Sequence, residues 1–254
     1  MNEIQKYPIP PDEWESLKTF TDARIALGKT GVSIPLRESL AFKLAHAHAK
    51  DAVYSSLDTQ ALATRWQKYG MPVYTLKTQA LNRDQYLQRP DLGRKLHEDS
   101  VQLLEGLHTN PVDVAVVIAD GLSATAIMEN AEPFLDRFWT KAEERGYSLA
   151  PLCLVEQGRV AIGDEIGSLL RARLVVVLIG ERPGLSSFNS MGLYLTFDPE
   201  PGLTDERRNC ISNIRPQGLS IELAVDKLLY LLQEAFRLQL TGVLLKEKEP
   251  KGIN

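Results

Sequence analysis

The run Leu174 to Ile179 (LVVVLI) constrains this chain more than any other feature, because its consecutive apolar residues leave no polar face for water. A strand apolar on both sides must be covered on both faces, and sheets buried between helices are characteristically parallel. Val112 to Ala119 (VDVAVVIA) has the same character with only Asp113 polar, and Leu152 to Val155 and Leu193 to Phe197 are shorter runs of this kind. Between them, Ser123 to Arg145 and Ala161 to Ala172 read as helices. Ser220 is placed to cap a last helix whose stripe includes Leu223, Leu228, Leu231, Leu232, Ala235, Phe236 and Leu240. The alternation over residues 111–245 predicts an α/β fold: a Rossmann-like, doubly wound, mainly parallel sheet.

The chain ahead of residue 111 reads differently. Pro8, Pro10 and Pro11, with no apolar period before Phe20, mark residues 1–20 as an irregular arm. Residues 21–110 are expected to be mostly helical: Leu36, Leu40, Leu44, Ala47 and Val53 recur at helical spacing, and Thr59 to Lys68 forms a second short helix. Val73 to Leu76 reads as a strand, and Pro90 opens a helix with the stripe Leu92, Leu96, Val101, Leu103, Leu104 and Leu107. Residues 246–254 form a charged tail.

Composition excludes several partners. With 29 Lys and Arg against 33 Asp and Glu, the formal charge of -4 provides no basic field for a nucleic acid or an anionic membrane. No apolar run approaches the roughly 20 residues of a membrane span, and the N-terminus lacks a signal peptide's apolar stretch, so a cytoplasmic location is expected. Two cysteines, Cys153 and Cys210, make neither a disulfide framework nor a four-thiolate zinc site.

In an open parallel sheet, ligands bind outside the carboxyl ends of the strands. The residues there are Asp120-Gly121-Leu122-Ser123, Glu156-Gln157-Gly158-Arg159-Val160 and Gly180-Glu181-Arg182-Pro183-Gly184. Turn and cap chemistry explains any one of these loops; three polar, glycine-bearing loops on one edge favour a ligand site. Glu181-Arg182 offers charge to a polar ligand, although pairing with neighbouring charges is the commoner fate of such residues. Free cysteines usually act as small buried hydrophobes, and Cys210 has no paired base beside it.

Other motifs fail. Gly28-Lys29-Thr30 lacks the earlier glycine of a phosphate-binding loop, since Ala23 stands there, and no G-x-G-x-x-G follows the Val112 strand. His46 and His48 are two apart on a helix, which points their rings away from each other, so packed or exposed histidines are expected rather than a metal chelate. From the residues alone, the chain is a helical lead joined to an α/β ligand-binding part of unnamed ligand.

Several segments are more specific. Arg24 to Gly28 (RIALG), Tyr86 to Arg94 (YLQRPDLGR), Ala119 to Ser123 (ADGLS), Gly158 to Val160 (GRV), Leu178 to Leu185 (LIGERPGL) and Asn209 to Ile214 (NCISNI) resemble, in order, the small (light) chain of ethanolamine ammonia-lyase. The resemblance implies a carbon-nitrogen lyase in which adenosylcobalamin lies between this subunit and a large barrel subunit, and ethanolamine becomes acetaldehyde and ammonia. In that family a 5′-deoxyadenosyl radical abstracts the substrate hydrogen, and the large subunit holds the substrate, so no catalytic residue is expected in this chain. The family's cobalamin contacts carry over to Val160, Glu181 and Cys210. The D-x-H-x-x-G motif that gives a histidine to cobalt in other cobalamin proteins is absent, which implies a cofactor that keeps its own base on cobalt (base-on). The resemblance also implies ethanolamine degradation in the cytoplasm, with a bacterial microcompartment as the narrower location. The competing expectation is a stand-alone Rossmann-like nucleotide-binding or regulatory protein, which accounts for the fold but not for the GERPGL and NCISNI segments.

Overall fold

The structure is a computed structural model that describes residues 12–67, 70, 72–107 and 110–246. Residues 1–11 of the expected arm, the Lys68 end of the second helix, His108, and residues 247–254 of the charged tail lie outside the described residues.

The strands β1 (Val73–Lys77), β2 (Val112–Ala119), β3 (Leu152–Glu156), β4 (Ala172–Gly180), β5 (Met191–Phe197) and β6 (Arg208–Ile214) form one sheet in the order β1-β3-β2-β4-β5-β6. The pairs β1/β3, β3/β2 and β2/β4 are parallel, whereas β4/β5 and β5/β6 are antiparallel. Only β5 therefore runs against the others, and the α/β, mostly parallel architecture is as the sequence predicts.

The two continuous apolar runs became the central strands because every second residue meets a different core. Val114, Val116 and Ile118 of β2 and Leu174, Val176 and Leu178 of β4 pack with α5 (Ala124–Glu144), α7 (Ile221–Leu238) and Trp66 of α2 (Thr59–Gln67). Ala115, Val117 and Ala119, with Val175, Val177 and Ile179, face the opposite layer of Leu104 from α4 (Glu98–Glu105) and Ile162 and Ile166 from α6 (Ile162–Leu169). The loops after β2 and β3 thus leave toward opposite faces, which opens a crevice at the strand ends.

Ser123 and Ser220 cap α5 and α7 by accepting the N–H groups of Ala126 and Leu223. Two expectations need correction. The helix expected from Pro90 is broken into a 3-10 turn (Leu92–Arg94), an extended link through Leu96 and then α4, capped by His97. A Cβ on Gly93 would stand 2.7 Å from the Gln157 carbonyl, and Leu96 N–H donates to Glu165 at 2.8 Å, so tertiary contacts override the helical spacing. The strand β6 is not among the strands that the sequence predicts. A register shift beside Met191 turns both Ile211 and Ile214 inward, three residues apart, which disguises the strand's alternation. The helix α1 (Leu36–Tyr54) forms over the predicted residues, but it buries Ala49 and Ala52, while Leu36, Leu40 and Leu44 lie exposed. Among the described residues no helix is long and apolar enough to cross a membrane.

The edge strand is tied to the second layer by a buried ion pair. Arg208 of β6 reaches both oxygens of Asp164 on α6 at 2.5 and 2.8 Å, and it also donates to Thr196 and to the Leu203 carbonyl. Removing one member of a buried pair strands the other charge, so Arg208→Met should lower the unfolding free energy by roughly 3 to 5 kcal/mol. Urea denaturation of the purified variant checks this; a loss below about 1 kcal/mol, the value of an exposed pair, would contradict it.

Candidate functional site

The ends of β2 and β4 are held almost backbone to backbone. Gly121 has φ of +56°, and a Cβ there would fall 2.3 Å from the Gly180 carbonyl oxygen; one on Gly180 would fall 2.0 Å from that of Ser123. This approach lets Leu122 N–H donate to Gly180 O at 2.9 Å, and it is why glycine stands at both positions. The Ser123 hydroxyl, besides capping α5, donates to Phe188 O at 2.8 Å, which anchors the β4–β5 connection over the same edge.

The loop after β3 is gathered in by a buried carboxylate. Asp120 accepts the Gly158 N–H at 3.1 Å and pairs with Arg83 at 3.4 Å. Arg83, in α3 (Arg83–Gln88), also donates to Val53 O at 2.6 Å, Gly121 O at 2.8 Å and Gln157 Oε1 at 3.3 Å, so one guanidinium fastens α1 and two strand-end loops together. Tyr86, one turn along α3, is fully buried and donates its hydroxyl to Gly158 O at 2.8 Å. Burial, more than the neighbouring Asp120 charge, pushes its phenol well up, so it remains a neutral donor.

These loops line an open-sided cavity of about 390 Å³ with a mixed lining. Leu122, Val160 and Ile179 provide apolar surface, while Tyr86, Arg159, Glu181, Arg182 and Tyr194 provide polar groups. Of the residues carried over from the family resemblance, Val160 and Glu181 line this cavity. Glu181 accepts the Ser190 hydroxyl at 2.5 Å and, at 3.3 Å, the Asn213 N–H, which places its carboxylate between β4, β5 and β6. Cys210 does not line the cavity; it lies on β6 directly across from Tyr194, which does. Desolvation around its sulfur raises the Cys210 thiol pKa and the Glu181 charge adds to this, against a hydrogen bond with Tyr194, so the thiol is protonated at neutral pH.

All three glycine-bearing loops meet at one cavity, as the strand-end rule anticipates. Three further residues, Arg83 and Tyr86 from α3 and Tyr194 from the middle of β5, carry no sequence spacing that relates them to the loops. His46 stacks against Phe42 and His48 packs against Phe188. Among the described residues no group of three His, Cys, Asp or Glu is placed to hold a metal ion.

Burial raises the Asp120 carboxyl to about 6, against the counteracting Arg83 charge and the N–H groups of Gln157, Gly158 and Gly121. The folded state therefore holds the proton more tightly than the unfolded chain, so this residue's contribution to stability is greatest in acid and declines as pH rises from about 4 to about 6. The stability difference between the protein and its Asp120→Asn variant should shrink over that window by about 3 kcal/mol at most, then level off. Denaturant unfolding at intervals of pH measures it, and a difference independent of pH would refute the assignment.

Comparison with known proteins identifies the family. Residues 11–246 match the family described as ethanolamine ammonia-lyase light chain (EutC). The chain is similar to proteins named ethanolamine ammonia-lyase small subunit in several bacteria. It is 50% identical to that of Pseudomonas syringae pv. tomato, with 98% of this chain and 88% of the relative covered. It is 52% identical to that of Ralstonia nicotianae (94% and 90% covered) and 51% identical to that of Azotobacter vinelandii (95% and 90% covered). A family match over nearly the whole chain and identities of about half across the same span lead to one conclusion: this chain belongs to the ethanolamine ammonia-lyase light-chain family.

Proposed function

We propose that this chain is the small subunit of an adenosylcobalamin-dependent ethanolamine ammonia-lyase, the enzyme that converts ethanolamine to acetaldehyde and ammonia. Beyond family membership, one observation carries the reading: the strand-end cavity is open-sided and combines apolar surface with hydrogen-bonding groups, a lining suited to a corrinoid held against a second subunit. The cofactor, when bound, supplies the radical chemistry, and the protein's part is binding and orientation. Leu122, Val160 and Ile179 give an apolar wall suited to a macrocycle's broad face. The Glu181 carboxylate, fixed by Ser190 and Asn213, keeps acceptor capacity for a corrin amide or a ribose hydroxyl. Cys210, protonated and held beside Tyr194, acts as a packing neighbour rather than a nucleophile.

The second half of the pocket is assigned to the large subunit, which also takes the substrate in this reading. Leu36, Leu40 and Leu44 follow each other at i, i+4 spacing on one face of α1, and their exposure, with that of Phe20, Val32 and Ile34, supports such a partner, because large apolar side chains left in water mark interaction surfaces. In the same reading the enzyme works in the cytoplasm, a bacterial microcompartment being the narrower location that family membership suggests.

None of the described histidines lines the cavity: His46 and His48 lie on α1, and His97 caps α4. The cofactor is accordingly proposed to bind base-on. Paramagnetic resonance of the cobalt(II) cofactor in the complex, prepared with a ¹⁵N-labelled benzimidazole, should show the label in the axial nitrogen splitting; splitting that follows ¹⁵N-histidine would reverse this.

Cobalamin titrated into the assembled complex should give a saturable absorbance change that neither subunit gives alone. Glu181→Gln should weaken that binding about ten- to a hundredfold, the loss of one charge-assisted hydrogen bond, while the ethanolamine KM at saturating cofactor stays unchanged. Unaltered cobalamin affinity would remove Glu181 from the cofactor site; a raised KM with normal cofactor affinity would place it in the substrate site instead.

A further inference from the structure

Arg159 is the side chain in the cavity whose chemistry is least satisfied. Its Nε is buried and meets no hydrogen-bond partner, and none of the ion pairs among the described residues includes it. The nearby Glu181 carboxylate is engaged by Ser190 and Asn213 instead. An unmade bond of a buried charged donor is costly, and a guanidinium left unpaired on the wall of a cavity is complementary to an anion that arrives from outside.

The position of Arg159 is also built rather than free. Its guanidinium carbon sits 4.4 Å from the centre of the Tyr86 ring, and Arg83 lies over the same ring at 4.9 Å. The ring is locked by its hydroxyl on Gly158 O, and the Arg159 backbone N–H donates to Gly93 O at 2.7 Å. A planar cation stacked on an immobile ring loses little further freedom when it binds, which suits it to bidentate recognition of two oxygens. Arg182, the other cation of the cavity, is exposed.

Within a cobalamin the corrin side chains are neutral amides, and the anionic group of the nucleotide tail is the phosphodiester that joins the corrin arm to the ribose. We propose that Arg159, pre-set on Tyr86, holds this phosphodiester, so that the tail-binding subsite lies between the β3–α6 loop and α3. The assignment rests on the cobalamin reading above and extends it from the macrocycle to the tail.

The test compares two corrinoids on the complex of this chain with its large subunit, by equilibrium absorbance titration. Cyanocobalamin carries the phosphodiester; cobinamide carries the same corrin without the nucleotide tail or phosphate. Arg159→Met should weaken cyanocobalamin roughly ten- to a hundredfold and leave cobinamide within about twofold of the unmodified complex. Arg159→Lys, which keeps the charge but not the planar fork, should show a smaller loss with the same selectivity, and it answers the question if the Met variant does not assemble. An equal loss for both corrinoids would overturn the proposal by moving Arg159 to the corrin amides or to a purely structural role. No loss for either would overturn it too. Tight ADP binding abolished by Arg159→Met, with cyanocobalamin affinity intact, would assign the residue to a nucleotide site. Failure of the unmodified complex to bind any corrinoid would instead bring down the cobalamin reading itself, which separates the two failures.

Discussion

The buried Asp120–Arg83 pair is the constraint on which the rest of the site depends. Asp120 ties the β3 loop to the end of β2 by accepting the Gly158 N–H, and Arg83 donates to carbonyls of α1 and the β2 loop as well as to Gln157. A carboxylate buried in this way persists only because the guanidinium and the peptide N–H groups face it, and either group without the other would be an uncompensated charge in the interior. The loops that this pair gathers are therefore not free to move independently, and a ligand in the cavity meets groups that are already placed.

The other half of the site is set by close backbone approach. Gly121 and Gly180 bring two strand ends within reach of a single hydrogen bond, and a methyl group at either position would collide with a carbonyl. Because the first and third loops are joined through backbone and the first and second through a carboxylate, the apolar and polar groups that line the cavity are held by fixed loops. That mixture suits the ligand proposed above, with a broad apolar face and a polar rim, and the open side is where the proposed large subunit would close over it.

Stability and function meet along the antiparallel edge. Cys210, Asn213 and Arg208 lie on the same short strand: the last reaches Asp164 beneath the sheet, and Asn213 presents its N–H to Glu181 beside the cavity. The bulge opposite Met191 gives β6 this double duty, since it changes which residues point inward along the strand. The cost is legibility, for a strand whose inward residues are three apart looks like part of a helix.

The sequence by itself determined the layered architecture, because unbroken apolar runs such as Leu174 to Ile179 have no stable place except between two covered faces. It also determined that the residues after those runs share an edge, the edge whose cavity both Val160 and Glu181 line. Capping serines and strand-end glycines were readable for the same reason: they answer local backbone needs. Tertiary structure alone decided that α1 turns Leu36, Leu40 and Leu44 outward, that the expected Pro90 helix breaks where Gly93 meets Gln157, and that Arg83 and Tyr86 come to lie beneath the loops. Periodicity records what one element requires of its own faces, whereas these outcomes depend on which distant carbonyl, carboxylate or ring arrives to meet it.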